Sequence, residues 1–137
     1  MIDQDLQNAY EKAVYRIFKP SISWKVGNYC PELDELLLTH DVAQATFITA
    51  YNPKSIPLPS YKNRSRNIAL AMVLDEAGYT YLEGQGEDPE DIWLAEASYL
   101  VLGMSPTQAL IFGRQFEQNA ILIIAKGEIV RLLSCTD

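Results

Sequence analysis

In the run Trp93 to Leu102, strand alternation places Glu96 on a face whose other members are Leu94, Ser98, Leu100 and Leu102. A carboxylate in such company is desolvated unless a cation pairs with it, and desolvation raises its proton affinity. That suits a general base or a ligand anchor, and Glu96 is the one credible acid or base in the chain. The structural alternative is an ion pair with Arg66 or Arg114. Arg66 closes a second cluster, Lys62-Asn63-Arg64-Ser65-Arg66, with three cations near the start of a helix. The macrodipole is already positive there, so exposed cations cost about 0.3–1 kcal/mol each. Lys, Arg, Ser and Asn at a helix start are what a phosphate or carboxylate site presents. The plainer alternative is pairing with the chain's own carboxylates.

Other constellations carry less. The glycines of Gly84-Gln85-Gly86 meet neither nucleotide fingerprint, since no GKS or GKT follows and no third glycine opens a helix. They read as a turn requiring positive φ. Glu87, Asp88, Glu90 and Asp91 lack the alternating ligands and closing glutamate of a calcium loop, leaving a solvated acidic turn. His40, the single histidine, sits beside Asp41 in a polar link and has no spatial orienting partner. Cys30 begins a helix, where a thiol pKa can fall, but has no identifiable base. Cys30 and Cys135 match no zinc or redox spacing, so no metal and no cofactor is expected. Trp93 and Tyr99 default to core. Tyr51 and Tyr61 bracket a proline loop, where one could line a pocket.

These groups are positioned by intermixed helices and strands. Leu6 to Phe18 has helical spacing, although Val14 to Phe18 also reads as a strand that a turn at Lys19-Pro20-Ser21 would pair with Ile22 to Val26. Pro31 opens a short helix ending near Thr39-His40, and Ala45 to Tyr51 is a buried strand. The Asn52 to Ser60 loop precedes a helix that Ser60 caps and Gly78 terminates. Tyr79 to Glu83 is a short strand, followed by the acidic turn and the strand bearing Glu96. Ser105, Pro106 and Gln108 form a capping box, and Asn119 to Ala125 and Ile129 to Leu133 close the chain as a hairpin. The expected fold class is α+β: a single compact domain over residues 1–137, with a mixed or antiparallel sheet of five to six strands and about four helices.

The formal charge of −7 disfavours nucleic acid and anionic membrane, and no apolar stretch is long enough to span a bilayer. No segment marks the chain for export, so a cytoplasmic protein is expected. Six motifs then stand in order: FITAYNPKS from Phe47, Asn63-x-x-Arg66, Gly84-x-Gly86, Trp93-x-x-Glu96-x-Ser98, Leu102-Gly103, and Phe116-x-Gln118-Asn119-Ala120. Together they resemble the bacterial domain-of-unknown-function family numbered 3293, from about Tyr10 to Leu133. The resemblance implies a complete bacterial domain and carries no activity. It also implies that Asn52, Asn63, Arg66, Glu96 and Gln118 belong to one pattern.

Two functions follow as expectations. One is a cleft for a small anionic or polar ligand, built from the Asn52–Ser60 loop, the Asn63–Arg66 helix start and Glu96, with Asn52, Asn63, Arg66, Glu96, Ser98 and Gln118 as its binding residues. The other is a small acidic adaptor or inhibitor for a basic protein partner, in which an Arg66–Glu96 tie is structural.

Overall fold

The computed structural model describes residues 2–136, so residues 1 and 137 of the expected domain lie outside the described residues. Asp3 caps the first helix, α1 (Gln4–Lys12), by accepting from the Leu6 amide at 2.8 Å. The chain leaves that helix at Ala13 and becomes β1 (Val14–Ile17), which turns through a cis Lys19-Pro20 bond into β2 (Ile22–Trp24). The strand reading of Val14 to Phe18 therefore holds over the helical one. In β1 Tyr15 and Ile17 are buried on one face, which a strand's period of two satisfies and a helix does not.

Next come α2 (Pro31–Thr39), β3 (Gln44–Ile48), a 3-10 turn (Pro53–Ser55) and α3 (Ser60–Glu76). Then follow β4 (Tyr81–Glu87), β5 (Glu96–Leu102), α4 (Pro106–Gln115), β6 (Ala120–Ala125) and β7 (Arg131–Ser134). The strands form one sheet in the order β2-β1-β4-β5-β3-β6-β7, and every neighbouring pair is antiparallel. The fold is α+β with four helices as expected, but the sheet has seven strands, not five to six. The β1–β2 hairpin makes the difference, because helical spacing had obscured it.

Each face of the sheet has its own core. Tyr15, Ile17, Phe47, Leu100, Leu102, Leu122 and Ile124 point toward α1 and α2, where Leu33, Leu36 and Leu37 meet them. Ile48, Val101, Ile121 and Ile123 point the other way, onto Leu70 and Leu74 of α3 and Ala109 of α4. Helix α4 starts with the expected capping box: Ser105 Oγ accepts from the Gln108 amide, and Gln108 Oε1 accepts from the Ser105 amide. Ser60 does not cap α3. It is the helix's first residue, Pro59 occupies the cap, and no side chain there takes an orphan amide.

Gly84 and Gly86 lie inside β4 rather than in a turn, and neither has a positive φ. Their reason is steric. A Cβ on Gly84 would run into the Arg16 carbonyl oxygen, and one on Gly86 would stand 3.2 Å from the Tyr15 ring. The acidic turn shrinks accordingly to the segment after Glu87, where Asp88 accepts from the amides of Glu90 and Ile92.

Candidate functional site

Strand β5 begins only at Glu96, so the alternation expected from Trp93 does not reach back that far. Leu94 is 83% exposed, and Trp93 folds onto the α1 side of the sheet, the side that Glu96 faces. On that side lies a cavity of about 250 Å³. Its floor is the sheet: Tyr15 of β1, Gly86 of β4, Phe47 of β3, Glu96 and Ser98 of β5, and Ala120 and Leu122 of β6. Leu6, Ala9 and Tyr10 of α1 form the roof, and Thr49, Tyr51, Asn52, Ser55, Trp93 and Gln118 form the rim. Gly86 is the register partner of Glu96, so the position beside the carboxylate carries no side chain. A larger residue there would fill the space that Tyr15 and Glu96 now share.

Burial pushes the Glu96 carboxyl above the usual carboxylate range, and a hydrogen bond from Asn52 partly opposes the shift. Asn52 Nδ2 donates to Glu96 Oε2 at 2.6 Å. Among the described residues Oε1 accepts nothing, and neither candidate arginine reaches the carboxylate. Arg66 donates to the carbonyls of Ala50 and Phe116 and lies 3.7 Å from the Glu117 carboxylate. Arg114 donates to the Cys135 carbonyl. The proposed Arg66–Glu96 tie does not exist in this fold, because the guanidinium is already taken up by backbone.

The amide of Asn52 is held in one orientation. Its Oδ1 accepts from the Leu58 amide and from Asn63 Nδ2, while its own amide N–H donates to Asn63 Oδ1. With the oxygen committed to donors, the NH₂ group must face Glu96. Asn63 thus works one step back from the cavity. Asn67, which the sequence reading did not single out, joins it by accepting from the Ala50 amide and donating to the Ala97 carbonyl. Its signal was the spacing: Asn63 and Asn67 stand four apart on one helix face, and the buried stripe continues through Leu70 and Leu74. The first half of α3 is therefore a polar clamp on the chain leaving β3, and its second half is core.

The clamped segment is under backbone strain. Asn52, Lys54, Ser55 and Glu117 all have positive φ, and the Lys54 amide donates to the Glu117 carbonyl. Gln118 Nε2 ties the same region by donating to the carbonyls of Tyr51 and Phe116. Ser98 donates to the Glu96 carbonyl, and Thr49 Oγ1 donates to that of Ala97. The site thus gathers Asn52, Glu96, Ser98 and Gln118 of the six expected residues, with Asn63 and Arg66 behind them.

The other candidates lie elsewhere. Cys30 is buried at the start of α2, and burial pushes its thiol up, opposite to the lowering considered for a helix start. His40 and Tyr61 are exposed, and Tyr99 faces the far side of the sheet, packed edge-on to Tyr81. Among the described residues no cluster of His, Cys, Asp and Glu could hold a metal ion, and no helix is long and apolar enough to cross a membrane.

A family model described as "Protein of unknown function (DUF3293)" matches residues 48–121. The chain belongs to this family. The matched span is narrower than the expected Tyr10 to Leu133. It opens at the end of β3 and closes in β6, taking in Asn52, the α3 clamp, Gly86, Glu96, Ser98 and Gln118. The DUF3293 match thus covers the rim and part of the floor, whereas the roof helix α1 and Tyr15 precede it. No curated protein and no solved structure matches the chain.

Proposed function

We propose that the protein binds a small molecule with a polar head and an apolar body in the cavity between α1 and the sheet. The observation that carries this reading is a carboxylate in an apolar cavity, oriented by Asn52 and left with one oxygen free of protein donors. At about 250 Å³ the cavity lies just below the usual range for small-molecule sites, roughly 300–1,000 Å³. Asn52, Glu96, Ser98 and Gln118 supply the polar contacts, while Asn63 and Arg66 position the loop. Any proton transfer in this site would turn on Glu96. The expected anionic ligand loses its support, because among the described residues no Lys, Arg or His lines the cavity. A polar ligand keeps it.

The adaptor reading draws support from the structural employment of Asn63 and Arg66, but it leaves the cavity unexplained. A fragment screen by two-dimensional NMR tests the binding reading. Fragments should shift the amides of Gly86, Glu96 and Ala120, and Ala120→Leu, whose side chain grows into the cavity, should abolish the shifts. If no fragment moves these amides, or if Ala120→Leu binds unchanged, the reading is wrong.

A further inference from the structure

The lining has a lopsided electrostatic composition. Among the described residues Glu96 is its one carboxylate, no cationic side chain accompanies it, and five aromatic residues (Tyr10, Tyr15, Phe47, Tyr51 and Trp93) share the cavity with it. Glu96 Oε2 is occupied by Asn52, and Oε1 is free to take a donor from the cavity. Aromatic rings present negative faces, and they attract cations more strongly once water is excluded. A carboxylate among such rings makes a receptor for positive charge, while an anion would meet repulsion from the carboxylate.

We propose that the cavity recognises an organic cation, an ammonium or amidinium on a small apolar body, with the Glu96 carboxylate as its counter-ion and the surrounding aromatic rings as its walls. This rests on the pocket reading above and names its ligand class. Gly86 beside Glu96 leaves room for the charged head, and α1 covers the apolar body.

The pH dependence has a definite sign. Burial favours the protonated form of Glu96, whereas a bound cation favours the carboxylate. Binding therefore expels a proton near the carboxyl's own pKa, and affinity falls as pH drops through it. The titratable groups around Glu96 are tyrosine hydroxyls: Tyr10 of α1 and Tyr15 of β1, both pushed up by burial, and Tyr51 of the rim. Strands β3, β4 and β6 bring no charge to the lining.

The test is calorimetric titration of the full chain with three probes of one shape: phenethylamine, 2-phenylethanol and phenylacetate. The amine stays protonated well below its pKa of about 10. Near pH 8, phenethylamine should bind at least about tenfold more tightly than the alcohol, with phenylacetate weakest. That advantage should shrink toward pH 5 (~3 units lower), where Glu96 is more protonated. Glu96→Gln, whose amide oxygen can still accept from Asn52, should lose the preference for the amine over the alcohol. Equal binding of all three probes, or tightest binding of phenylacetate, overturns the cation inference and leaves the pocket reading standing. No binding by any probe at millimolar concentration overturns both. Should the Gln variant fail to fold, the pH series on the wild type decides the question alone.

Discussion

The two faces of the sheet are closed in different ways. On one, α3 and α4 press Leu70, Leu74 and Ala109 onto Val101 with no exposure left in any of them. On the other, α2 seals its half with Leu33, Leu36 and Leu37, but α1 lies over the sheet without burying a single residue. Its Leu6, Ala9 and Tyr10 are only partly covered and line the cavity, with Tyr10 also touching the edge of that face's core. Close packing removes voids wherever stability alone is at stake, since each void forfeits dispersion contacts. The contrast shows where this fold is held and where it keeps room.

The largest expected effect tests that contrast directly. Leu74→Ala should destabilise the protein by about 2–5 kcal/mol in urea unfolding. Leu6→Ala, on the roof, should cost no more than about 1 kcal/mol. Similar costs at the two positions would erase the distinction between the faces. Next in size is Arg66→Ala, which strips donors from the carbonyls of Ala50 and Phe116. Hydrogen bonds from a charged group are worth about 1.5–3 kcal/mol, and the loss should appear in stability without regard to any ligand. Arg66→Lys should not restore it, because one ammonium cannot reproduce the fork of a guanidinium.

Gly84→Ala should cost about 1–3 kcal/mol by overpacking, since the added methyl meets the backbone of Arg16. Thermal melting would show it as a lowered Tm with no change in fold by circular dichroism. The smallest effect belongs to Glu96. Its folded-state pKa is raised, so folding binds an extra proton between the unfolded and folded values and stability falls as pH rises through that window. Glu96→Gln removes this dependence. The variant should melt at or above the wild type near neutral pH, and its margin should close as pH falls below the carboxylate range. A wild type more stable than the variant at neutral pH would mean that Glu96 is better solvated than its surroundings indicate.

Local rules were legible in the sequence. Ser105, Pro106 and Gln108 announce their capping box because every partner lies within one helical turn. Glu96 announced its desolvation through the alternation of its own strand. What stayed hidden depended on distant partners. Gly84 and Gly86 suggest a turn because torsion is the usual demand on glycine, whereas here Arg16 and Tyr15 of another strand impose the demand. Arg66 was visible as a cation at a helix start, but sequence does not show which oxygens it meets. They proved to be the chain's own carbonyls at the end of β3 and after α4. Asn67 is silent in the sequence because an asparagine four residues along gains meaning only when Ala50 and Ala97 lie across from it.

The strand order also sets a timetable for assembly. The pairs β1–β2, β4–β5 and β6–β7 join neighbours in the chain and can close early. Strand β3 differs, because both of its neighbours, β5 and β6, are encountered only later in the sequence. Strand β3 joins the β4–β5 hairpin to the β6–β7 hairpin, the β1–β4 pairing adds the β1–β2 hairpin, and loop closure over such separations slows folding. The strand that leads into Asn52 thus joins two halves of the sheet, and the cavity beside it, floored by β1, β3, β4, β5 and β6, exists only once these long-range pairings are made.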